Sequence, residues 1–144
     1  LSWKIPAIAV PRINATSAEV YKTLGQPLRR EAWVGSVIKN FSHQLYWEAW
    51  EYSGVSILFT SSELKSQPRS AVPGTVYRLK VTGRGLSTFR GIKIGDKIEK
   101  LFAVYGQNQL TNGAYRYHSN GLTYLEFAET KGRVSGIEIG IEYN

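Results

Sequence analysis

Two stretches of the chain carry the same pattern of apolar and polar positions: a short helical stripe, then runs that alternate like strands. In the first stripe, Val20, Tyr21 and Leu24 fall on one face of a helix within 13–26. Thr16 and Glu19 stand ahead of it at capping-box spacing, where a hydroxyl accepts from the backbone N–H three residues on and the carboxylate reaches back. Gly25 supplies a left-handed stop. The second stripe, in 94–107, is built from Ile98, Leu101, Phe102 and Tyr105, with Asp96 and Glu99 as the box and Gly106 as the stop.

Strands follow each stripe. Trp50-Glu51-Tyr52 runs into Gly54, and Tyr115-Arg116-Tyr117 runs toward Asn120-Gly121, a strong hairpin signal. A third strand reads Gly74-x-Val76-x-x-Leu79-x-Val81 in the first stretch and Gly132-x-Val134-x-x-Ile137-x-Ile139 in the second. The order predicts an α+β fold of two tandem copies of a helix plus an antiparallel three-stranded unit, helices packed on one face of the sheet. One compact domain over 1–144 is expected, with repeats at about 5–82 and about 90–144. The first copy is the longer and carries insertions at 28–45 and 61–73. The former holds Trp33, Val37, Ile38 and Phe41 at near-helical spacing; the latter, rich in Ser, Pro and cations, reads as a surface loop.

Ile94-Gly95-Asp96, the helix closed by Tyr105-Gly106, the aromatic hairpin and Gly132-x-Val134 together resemble the unit of the SmpA/OmlA outer-membrane assembly lipoproteins. In tandem, such units are similar to the β-lactamase inhibitory protein fold. The first copy departs from the motif, with Asn14-Ala15 where Gly-Asp would stand. The resemblance implies an exported binding or scaffolding protein and transfers no active-site residue.

Composition narrows the chemistry. The chain has no Cys, which removes disulfides, thiol catalysis and thiolate metal sites. It has no Met and opens at Leu1, so any signal segment or lipid anchor would lie upstream of this sequence. A cysteine-free chain rich in Tyr and Gly suits an extracytoplasmic protein, whether secreted, periplasmic or lipid-anchored. Eighteen Lys and Arg against eleven Asp and Glu give a net charge of +7, which favours anionic partners. The cations are scattered rather than run together, so nucleic acid is not the expected partner.

No catalytic constellation emerges. His43 and His118 are the two histidines, and neither has a second ligand at helical spacing, so no metal site is expected. Glu48 and Glu51, three apart in a strand, point to opposite faces and cannot act as a paired acid and base. No Gly-x-Ser-x-Gly elbow or phosphate-binding glycine loop is present. The expectation is a non-enzymatic protein-binding or scaffolding module of the bacterial cell envelope that needs no cofactor. A binder of anionic cell-surface polymer or lipid through a basic face is the first alternative, and a small enzyme with a dispersed site the second.

The aromatics suggest where a partner would sit. Alternation puts Trp50 and Tyr52, with Tyr115 and Tyr117, on the face under the helices. Trp47, Glu51, Arg116 and His118, with Arg78 and Lys80 as neighbours, then fall on the opposite face and form the candidate binding site. The basic balance also generates a measurable expectation. Binding to anionic vesicles should drop steeply between low and physiological salt, because screening sets in over about 8–10 Å. Salt-independent nanomolar binding to one oligonucleotide would contradict it.

Overall fold

Among the described residues, seven strands, each hydrogen-bonded to its neighbour in antiparallel sense, form one sheet in the order β1-β2-β3-β4-β7-β6-β5. They are β1 (Arg29–Val34), β2 (His43–Tyr52), β3 (Val55–Leu64), β4 (Thr75–Val81), β5 (Ala114–His118), β6 (Thr123–Thr130) and β7 (Arg133–Ile141). Two helices of the described residues, α1 (Ser17–Leu24) and α2 (Ile98–Tyr105), pack on one side. The structure, a computed structural model, describes residues 15–35, 43–64, 74–84, 86–88, 90–118 and 123–141. Val37, Ile38, Phe41, the segment 65–73 and the Asn120-Gly121 turn lie outside the described residues.

This architecture corrects the expected fold class. The chain is one sheet-dominated body with two eight-residue helices, not a tandem of helix plus three-stranded units. Part of the reason lies in 28–45, read above as an insertion with helical spacing. Arg29–Val34 instead extends the sheet as β1, in unbroken register with β2 from Arg29↔Glu51 to Val34↔Tyr46. The first four strands and the last three then join through the β4–β7 ladder, Arg78↔Gly140 to Val81↔Ile137. Helices of this length are marginal alone, since isolated helices below about 12–15 residues rarely persist in water. The sheet therefore dominates the fold.

Each helix is tied to the sheet at both ends. At the start of α1, the Ser17 N–H donates to the Gly74 carbonyl at 3.0 Å and the Val76 N–H to the Ala15 carbonyl at 2.8 Å, joining the helix to β4. At the start of α2, Ile98 N–H donates to Gly132 O at 3.1 Å and Val134 N–H to Asp96 O at 2.8 Å, joining it to β7. At the C-terminal ends, Tyr52 donates its phenol to Gly25 O at 2.8 Å and Tyr117 to Gly106 O at 2.7 Å. The capping boxes differ. The Glu19 N–H donates to Thr16 Oγ1 at 3.2 Å, as the spacing predicts. The expected Asp96–Glu99 box does not form: Lys97 is the N-cap and makes no side-chain cap. Asp96 instead accepts from the Lys93 N–H at 2.9 Å and pairs with Lys100 at 3.2 Å, closing the turn ahead of the helix.

The core lies between helices and sheet. Val20, Leu101, Ile57, Phe59, Leu79, Val81, Phe127 and Ile137 are all fully enclosed. Trp50 stands edge-on to Phe59 with centroids 4.7 Å apart, and Phe102 stands edge-on to Tyr115 at 5.1 Å. Burying each such side chain contributes about 1.5–3 kcal/mol. Two bulges shape this layer. The register slips at Leu58/Phe59, making Tyr77 the extra residue of β4, and at Ala128/Glu129, making Ser135 the extra residue of β7. In a regular strand Val76 and Leu79 would face opposite sides; the bulge turns both to the core, and Val134 and Ile137 likewise. That is the physical meaning of the Val-x-x-Leu/Ile spacing.

Two glycines permit a paired test of this geometry. At Gly106, φ is 101° and nothing lies within 4 Å of an added Cβ, so Gly106→Val should cost about 1–2 kcal/mol through backbone strain. At Gly54, φ is 77° and a Cβ would also meet the Gly83 Cα at 2.6 Å, so Gly54→Ala should cost more although Ala is the smaller residue. Urea unfolding of the two variants checks the order. A Gly54→Ala protein no weaker than Gly106→Val would refute the close approach of the two turns.

Candidate binding face

The strand face turned away from α1 and α2 is set by alternation from the buried residues. Trp50 at 3% exposure fixes the inward side of β2, so Trp47, Ala49 and Glu51 point outward. Leu79 and Val81 do the same for β4, turning Arg78 and Lys80 outward. On β5, Tyr115 and Tyr117 pack against α2 and the core, so Arg116 and His118 face the other way. All six candidate residues therefore lie on the face opposite the helices.

They do not form one cluster. Arg78 and Lys80 on β4 oppose Gly140 and Glu138 on β7, which oppose Tyr124 and Glu126 on β6, which oppose His118 and Arg116 on β5. These four candidates thus share one patch. Trp47 and Glu51 sit on β2, which is five strand steps from β5, roughly 24 Å. Trp47 is half-buried, its ring edge-on to Tyr77 with centroids 5.1 Å apart at 85°. The β4 bulge is what brings Tyr77 there. Glu51 accepts from Ser56 Oγ at 2.5 Å.

Tyr124 is the centre of the larger patch, and sequence reasoning passed over it. It is 5% exposed although it lies on the side away from the helices. Its ring covers Gly140, where an added Cβ would meet the phenol oxygen at 2.6 Å. Arg116 stacks on the ring with its guanidinium carbon 4.0 Å from the centroid, and its Nε donates to Glu126 at 3.0 Å. The phenol donates to Glu138 Oε2 at 2.8 Å. Glu126 and Glu138 are direct cross-strand neighbours, an arrangement that like charges make unfavourable. Each carboxylate has its own donor, Arg116 for one and Tyr124 for the other, and this relieves the repulsion. Gly140 opposite Tyr124 was the available signal, but it needs the register to be seen.

The patch holds both signs of charge, with exposed Arg78, Lys80 and His118 at its margins. It offers hydrogen bonding and a cation stacked on an aromatic ring, which suits recognition. Among the described residues, no group of three or more His, Cys, Asp or Glu could hold a metal ion, and no helix is long and apolar enough to cross a membrane.

No protein-family profile and no curated protein sequence matches the chain. Among solved structures it is similar to the crystal structure of the uncharacterized protein yfeY from Escherichia coli, at 16% identity and a TM-score of 0.45. That similarity spans 96% of this chain and 97% of the other. A likeness at that level assigns neither a fold family nor a function.

Tyr124 gives the patch a signature in alkaline solution. Burial first, then the hydrogen bond to Glu138 and the charge of that residue, raise its phenol from 10.0 to about 12, with Arg78 opposing. Because the folded value lies above the unfolded one, the stability contributed by the protonated phenol is whole below pH 10 and is lost as pH rises to about 12. The stability of Tyr124→Phe should therefore fall less steeply over that window than that of the parent protein. The raised phenols of Tyr52, Tyr105 and Tyr117 contribute to both curves. Parallel curves in urea unfolding would show that Tyr124 titrates normally.

Proposed function

We propose that the protein is a non-enzymatic binding module of the bacterial cell envelope, which engages another protein with the sheet face opposite its helices. The observation that supports this reading is the one-sided placement of α1 and α2. It leaves outward a half-buried Trp47 and an Arg116–Tyr124 stack bordered by charges. Trp, Tyr and Arg are the residue types that dominate protein interfaces. Export rests on the lipoprotein resemblance of the segment around Ile94–Gly106 and on a cysteine-free composition. The absence of a catalytic role is part of the proposal.

A second reading, an anionic polymer or lipid surface, draws on one further observation. The bridge Lys97↔Arg133 brings those cations together where β7 begins, with Lys93 and Lys131 exposed in the adjoining turns. A steep loss of vesicle binding between low and physiological salt would favour this second reading over the first.

Trp47→Ala and Arg116→Ala test the face. Crosslinking in a native envelope extract should yield a partner with the parent protein, and truncating a hot-spot residue should weaken it by about thirtyfold or more. Circular dichroism should be unchanged in both variants. A partner captured with undiminished affinity by both would remove the sheet face from consideration.

A further inference from the structure

The two edges of the sheet are finished differently. β5 has five residues, and the chain before it lies along its outer side: Asn108 Nδ2 donates to the Arg116 carbonyl at 2.8 Å, and Thr111 bridges to Ala114. Short length and a covering segment are usual protections of an edge strand. β1 has neither. All six of its residues are exposed, Trp33 at 41% and Val34 at 52%, and Leu28 just ahead is 80% exposed.

The backbone of β1 is open in a defined way. The Gly35 N–H donates to the Leu45 carbonyl at 2.7 Å, which makes 35↔45 a hydrogen-bonded pair in a ladder of unbroken register. Such pairs alternate along an antiparallel ladder, so Arg29, Glu31 and Trp33 bond inward to β2. Arg30, Ala32 and Val34 then direct their N–H and C=O groups outward, away from the sheet. The side chains beside them are Arg29 and Arg30 at one end and Trp33 and Val34 at the other. Arg30 stacks on Trp50 at 4.4 Å, and neither arginine has a carboxylate partner among the described residues.

We propose that the outer edge of β1 is a strand-addition site, which takes an extended segment of a partner protein with an acidic residue across Arg29–Arg30 and an apolar residue across Trp33–Val34. Main-chain hydrogen bonds would supply the docking and the flanking side chains the selectivity. Charge chooses the occupant. The chain carries +7, so a second copy is repelled where an acidic segment is attracted. The inference rests on the protein-binding reading and adds a second element to it, the sheet edge beside the sheet face.

The test selects linear peptides from a displayed library on the immobilised full chain. Selected peptides should alternate apolar and polar residues and include an acidic one. Each is then remade in two forms, with N-methyl groups on one or the other set of alternate amides. A strand bound edge-on presents only one set to β1, so one form should lose about tenfold or more in affinity while the other keeps it. Ala32→Pro should give the same loss, since proline removes an outward N–H and is tolerated at an edge. The methylation series uses the unaltered protein and so stands even if that variant misfolds. Equal binding by both methylated forms, or no selected peptide, overturns the proposal. Peptide binding lost in Arg116→Ala but kept in Ala32→Pro would place the ligand on the sheet face and leave the edge without a role. A concentration-dependent dimer abolished by Ala32→Pro would assign the edge to a second copy and overturn the partner proposed here.

Discussion

The structure depends on keeping two very short helices against a wide sheet. Eight residues give few internal hydrogen bonds after nucleation, so α1 and α2 owe their helicity to docking. Backbone bonds hold their first turns to β4 and β7, two interior strands that pair with each other. The phenols of Tyr52 and Tyr117 hold the carbonyls of the glycines that end them. Each such bond contributes about 0.5–1.5 kcal/mol net. Their positions matter more than their sum, because they fix both ends of each helix over the aromatic core.

Once both helices are committed to one side, the chemistry of the other side follows different rules. Surface ion pairs contribute about 0–1 kcal/mol, and Arg116–Glu126, with side chains 34% and 26% exposed, belongs to that class. Two carboxylates facing each other across β6 and β7 would cost stability without their donors. Stability alone is thus a weak reason for the arrangement around Tyr124. The glycine beneath the Tyr124 ring leaves room for that ring to lie close on the strand, where a Cβ would meet the phenol oxygen at 2.6 Å.

Much of the helix-bearing side was legible in the sequence. The stripes gave α1 and α2 within a residue or two, Thr16 caps as its spacing implied, and Trp50, Tyr52, Tyr115 and Tyr117 face the core layer. These features repeat with a period that local geometry imposes. The errors lie where tertiary pairing decides. β1 is exposed on both faces, so its residues show no alternation, and Trp33 falls in a near-helical spacing with Val37, Ile38 and Phe41 instead. Asp96 precedes an apolar run as a cap would, but its carboxylate closes the turn before the helix. The tandem reading took matching local segments as independent units, whereas the β4–β7 ladder and the added β1 make one sheet of them. Tyr124 was passed over because its neighbours Gly140, Glu138 and Arg116 come from three strands whose register no single segment reveals.

The strand order also settles where this sheet can grow. β4 and β7, at the ends of the two chain segments, are consumed in pairing with each other, which leaves β1 and β5 as the edges. The chain preceding β5 follows directly from α2, so the short connection is forced to run along that edge, and Asn108 takes up an outward carbonyl. Nothing comparable lies against β1 among the described residues, where every side chain is exposed. The arginines there discourage a like-charged neighbour while leaving the backbone groups accessible. Charge on an edge strand discourages pairing with a like-charged strand and favours one of opposite sign, which is the physical basis of the selectivity proposed for β1.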